Sequence, residues 1–69
     1  MVEVFKTNVN NRREAQKLVM LLQDNFPGSR INFDLEDCDR ILRVEAVMIC
    51  VEKICELLSG KGYFIQELK

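Results

Sequence analysis

Three groups of side chains have the types and spacing to do chemistry. Asp37-Cys38-Asp39 sets a thiol between two carboxylates, a donor set that could hold a copper or zinc ion. The same tripeptide suits a tight turn, because aspartates hydrogen-bond their own backbone, and both readings stay open. Asn10-Asn11-Arg12-Arg13, with Lys61 far along the chain, offers amides and three cations to an anion or an acidic partner patch. Solvated cations offset by Glu14 would look the same. Cys50 and Cys55 stand five residues apart, a spacing that matches neither a zinc nor a redox motif, and Cys55 reads as a small core hydrophobe.

Catalysis has little to stand on. The 69 residues include no histidine, so the commonest general base is missing. No serine elbow or phosphate-cradling loop occurs, and Gly60-Lys61-Gly62 is too short for one. Glu36, Asp37 and Asp39 fall on exposed strand ends, where nothing would shift a carboxylate's pKa. The reading is that the chain is not an enzyme.

The elements that must position these groups follow from periodicity. Residues 2 to 8 alternate as a strand. Asn11 with Glu14 makes a capping box, and Ala15, Leu18, Val19, Leu22 and Phe26 give the following helix one apolar face. Pro27-Gly28 ends it. Residues 30 to 36 form the clearest strand, with Ile31, Phe33 and Leu35 opposite Asn32, Asp34 and Glu36. Residues 40 to 46 return as its hairpin partner. A second helix is expected from Val47 to Ser59, with Val47, Val51, Ile54, Cys55 and Leu58 buried and no good N-cap. Residues Tyr63 to Leu68 form a last strand. The result is α+β: a ferredoxin-like βαββαβ sandwich, four antiparallel strands with two helices on one face, as one domain over 1–69.

That order places the first loop, the Asp37-Cys38-Asp39 hairpin and the second-helix exit at one end of the sheet. Val2 and Val4 run out of phase with Phe5, Thr7 and Val9, so one of these sets faces the uncovered side of the sheet. Ile41 is out of phase with Leu42 and Val44, and Tyr63 or Phe64 must face outward. Several apolar groups on that face would favour self-association or a partner, and misphasing at strand ends would give the same pattern. Arg12 and Arg13 add charge where the helix macrodipole is already positive, which costs a few tenths of a kcal/mol each. A local rule broken in this way marks a candidate binding surface.

The order of elements, Phe26-Pro27-Gly28, Ile31-x-Phe33-x-Leu35 and Gly62-Tyr63 together resemble heavy-metal-associated (HMA) domains, the small domains of copper chaperones and metal-pumping ATPases. That family holds its ion with Met-x-Cys-x-x-Cys. The matching stretch here is Val9-Asn10-Asn11-Arg12-Arg13-Glu14, where Val9 takes the methionine's packing role. Asn11 and Glu14 replace the two thiolates, and both are poor soft-metal ligands. The resemblance implies docking of partners through this end, without the family's metal site.

Whole-chain properties narrow the partners. A net charge of −1 and a pI near 5.3 argue against nucleic acid, and central strands offering only Phe5 argue against an RNA-stacking sheet. No apolar run approaches the ~20 residues of a membrane span, so no membrane insertion is expected. Met1-Val2-Glu3-Val4-Phe5-Lys6 is too short and charged for a signal peptide, and three cysteines make no disulfide framework, which together suggest the cytoplasm. The leading expectation is a non-catalytic module that binds a protein partner or forms a homo-dimer, with no cofactor. The alternatives are a copper or zinc carrier using Cys38 with Asp37 or Asp39, and a small-molecule-sensing domain, which would need dimerisation to build its pocket.

Overall fold

Phe5, Thr7 and Val9 decide which face of the sheet is inside: all three are buried, while Val2 and Val4 point the other way. The computed structural model describes residues 1–36 and 38–68. Within it run β1 (Val2–Thr7), α1 (Arg12–Asn25), β2 (Arg30–Asp34), β3 (Ile41–Glu45), α2 (Val51–Gly60) and β4 (Ile65–Leu68). The strands form one antiparallel sheet in the order β2-β3-β1-β4. Both helices cover one face, so the fold is the α+β ferredoxin-like sandwich that the hydrophobic periods require.

The core follows from that alternation. Phe5, Ile31, Leu42 and Val44 from the sheet pack against Ala15, Leu18 and Leu22 of α1 and Ile54 and Leu58 of α2. On the opposite face, register sets Val4 between Arg43 and Leu68, and Ile41 between Lys6 and Asp34. The apolar groups of the open face (Val2, Val4, Ile41, Phe64 and Leu68) are therefore interleaved with charges. Tyr63 turns inward against the core, and Phe64 is the aromatic that faces out.

Three boundaries depart from the periodic reading by two residues or more, the first being the end of β2 at Asp34 rather than residue 36. α2 begins at Val51, not Val47, and Val47 is 92% exposed rather than buried. Cys50 occupies the N-cap and makes no side-chain cap bond. With no capping oxygen in residues 46–50 to satisfy the first amides, the helix starts only where Val51, Ile54 and Leu58 reach the core. β4 likewise begins at Ile65, not Tyr63. The amide of Tyr63 is drawn back to the Leu58 carbonyl of α2 (3.1 Å), a return made possible by Gly62 at φ +91.

Register fixes the two ends of the molecule. Lys6 pairs with Ile41, and Thr7 with Ile65. The β1–α1 loop, the β2–β3 hairpin and the α2–β4 loop therefore lie at one end, which also carries the start of α1 and the exit of α2.

Candidate functional site

At that loop end, Asn11 works as a cap. Its Oδ1 accepts from the amides of Arg13 (2.8 Å) and Glu14 (3.3 Å), satisfying two donors that have no partner within the helix. The reciprocal half of the expected capping box is not made. Glu14 instead accepts a hydrogen bond from the Tyr63 hydroxyl, which reaches it from the α2–β4 loop. Desolvation, the Glu14 charge and that hydrogen bond, in this order, hold the Tyr63 phenol above its ordinary value. Asn11 and Glu14 are thus both engaged in contacts that hold this end together.

Asn10, Arg12, Arg13 and Lys61 are exposed, and among the described residues the three cations make no ion pair. The fold brings them to the same end, though not to one point. Arg12 leans toward β2, where it lines a groove, and Lys61 sits at the α2 exit. The result is a spread positive rim around the start of α1.

Four residues that hold this end together carry no local sequence signal. The Thr7 hydroxyl donates to the Arg40 carbonyl (2.6 Å) and accepts from the buried Val9 amide (3.2 Å). Arg40 adopts φ +48, a left-handed conformation unusual for a residue with a side chain. Its guanidinium donates to the Leu35 carbonyl (2.6 Å) and closes the hairpin. Asn8 Oδ1 accepts from the amide of Phe64 (2.9 Å), and Tyr63 makes the bond to Glu14. The Thr7–Arg40, Asn8–Phe64 and Tyr63–Glu14 contacts join segments that only the fold brings together.

The cysteine sites are arranged differently. Asp37 lies outside the described residues. Cys38 is exposed, and Asp39 forms an ion pair with Lys6 at 3.6 Å. Among the described residues, no three histidine, cysteine, aspartate or glutamate side chains converge on a point. Cys50 is the exposed N-cap of α2 rather than a helical residue. Cys55 is half-buried beside the core, and burial followed by the Glu67 charge pushes its thiol pKa up, which makes it a poor nucleophile at neutral pH.

A groove of about 670 Å³ runs between α1 and β2. Val19 and Met20 form its helix wall, Phe33 and Leu35 its strand wall, and Arg12 and Glu36 flank its upper end. Met20 is 65% exposed there, an unbranched apolar side chain left open on a helix that is otherwise amphipathic.

No protein-family model, curated protein or solved structure matches this chain. What it does must be read from its own side chains. No described helix is long and apolar enough to cross a membrane.

Proposed function

We propose that this chain is a non-catalytic protein-interaction module that resembles HMA domains but has lost their metal site, and that it docks an acidic partner through its loop end. One observation carries the reading. Arg12, Arg13 and Lys61 stand exposed, and without an ion pair among the described residues, around a helix start where Asn11 is committed to capping and Glu14 faces Tyr63. Unpaired cations at the positive end of a helix dipole are stabilised by an incoming negative charge. The open sheet face supports docking less well, because its apolar groups are separated by Lys6, Arg30, Arg43 and Glu45.

The test is a titration with a Glu-rich synthetic peptide at several ionic strengths. Binding should weaken steeply with salt, as exposed charge pairs do, and fall at least tenfold in the double variant Arg12→Glu, Arg13→Glu. Affinity unchanged by that double reversal would sink the reading. Competition of reduced protein against a Cu(I) or Zn(II) chelator supplies the second arm. Binding tighter than micromolar that vanishes in Cys38→Ser would replace docking with metal carriage.

A further inference from the structure

The backbone bonding pattern identifies which groups of β2 face outward. The Met1 ammonium donates to the Ala46 carbonyl (2.8 Å) and the Ala46 amide donates back to the Met1 carbonyl (3.0 Å), while the Thr7 amide donates to the Arg40 carbonyl. Bonded and non-bonded pairs alternate along an antiparallel ladder, so Leu42 and Val44 turn their backbone groups toward β1. Ile41, Arg43 and Glu45 then bond β2, through Asp34, Asn32 and Arg30. The amides and carbonyls of Ile31 and Phe33 are left facing out from the sheet edge. Such an edge is a template for another strand.

The same five residues are complementary to themselves. Turned about a two-fold axis through Asn32, a second β2 brings Arg30 opposite Asp34 of the second copy, twice, and Asn32 opposite its own copy. Ile31 and Phe33 exchange four backbone bonds. The outward groups fall where this register needs them, and opposite charges meet at both ends of the pair. An axis through Asp34 would set that carboxylate against itself. An axis through Phe33 would need the Leu35 carbonyl, which the Arg40 guanidinium already occupies.

The helix layer allows the approach. α1 packs on β2 and α2 on β4, and two helices side by side over four strands leave on average two strands' width to each. With strands about 4.8 Å apart, joining two β2 edges sets the two α1 helices roughly 10 Å apart, at the upper end of ordinary helix packing. The groove walled by Val19 and Met20 lies in that gap. We infer that β2 and the α1 groove form a docking edge for a second copy of this chain, closing an eight-stranded sheet by antiparallel β2–β2 pairing. This surface meets the cation rim at Arg12, which lines one end of the groove, but its test turns on Arg30 and Asp34 and does not depend on an acidic partner.

The pair is at the small end of the interface range, below about 1,200 Å² in total, so sedimentation should run from roughly 10 µM to 1 mM. Wild type should shift from monomer to dimer across that range, with no higher species. Arg30→Asp and Asp34→Arg should each raise the dimer Kd at least tenfold, since each sets like charges opposite one another. Mixing the two variants in equal amounts should restore dimer to within threefold of wild type, because every pair is then opposite in sign. A monomer at all concentrations overturns the proposal. So does a dimer indifferent to both variants, or a mixture that fails to recover. Far-UV circular dichroism checks that each variant folds. If either does not, Ile31→Pro removes one outward amide without touching charge, and a dimer unchanged by it overturns the proposal as well.

Discussion

The two edges of the sheet are built to opposite rules. β4 carries Glu67 in register with Phe5, so a carboxylate stands on the helix-covered face of an edge strand, beside Cys55. Inward-pointing charge is a recognised device for keeping an edge from recruiting another strand. β2 has no such guard. Its inward residues are Ile31 and Phe33, its outward backbone groups are open, and an apolar groove lies alongside. On the proposed pairing, one sheet has a closed edge and an adhesive one, and that asymmetry would limit association to a pair.

The largest effect should come from opening the closed edge. Glu67→Val removes the guard from β4 and leaves two adhesive edges on one molecule. Edges that pair on both sides build an open array instead of a closed dimer. Light scattering should then show species growing beyond two chains as concentration rises. A Glu67→Val protein that stops at the wild-type dimer would mean β4 is held closed by something else.

The converse change copies the guard onto β2. Phe33→Lys should abolish pairing while leaving a folded monomer, with stability reduced by about 1–3 kcal/mol for the lost partly buried ring. Urea unfolding of the monomer measures the cost, and sedimentation measures the pairing. Retained dimer would relocate the adhesive surface.

Asn11→Ala separates stability from association. Loss of the α1 cap should cost about 1 kcal/mol and leave the dimer Kd untouched, because the cap lies at the loop end and β2 does not depend on it. A shift in Kd as large as the shift in stability would tie association to global unfolding instead of to the edge.

Smaller effects report on Glu67 and Tyr63. Cys55 should alkylate more slowly than the exposed Cys38 and Cys50 near pH 8, since its raised pKa lowers the thiolate fraction. Glu67→Gln should speed Cys55 a few-fold while leaving Cys38 and Cys50 unchanged. Tyr63 gives a pH signature. Its phenol is favoured neutral in the fold, so its contribution is complete below the ordinary value of about 10 and is lost as pH rises through the raised one. Tyr63→Phe should flatten that alkaline loss, read as melting temperature between pH 8 and 11.

Much of this architecture was legible in local pattern. Ile31-x-Phe33 alternation marked β2, Asn11 marked the start of α1, and the order of elements implied the fold. The start of α2 was not, because the apolar spacing continues through Val47 while no residue there can cap a helix. The Glu14–Tyr63 and Asn8–Phe64 bonds lay beyond local reading, since each joins segments distant in sequence. The cations Arg12, Arg13 and Lys61 were recognisable as residues, and the fold does gather them at one end. The edges were the least visible feature. Which strands lie outermost depends on the order β2-β3-β1-β4, and the inward phase of Glu67 follows only from its pairing with Phe5 across a four-residue strand.

The most direct measurement is residue-resolved amide exchange at low and high protein concentration. By the same alternation, Ile31 and Phe33 turn their amides outward on β2, as Ile65 and Glu67 do on β4. Protection at Ile31 and Phe33 should rise with concentration, and that at Ile65 and Glu67 should not. Exchange at both edges that is independent of concentration, or protection rising at β4 instead, would contradict the account.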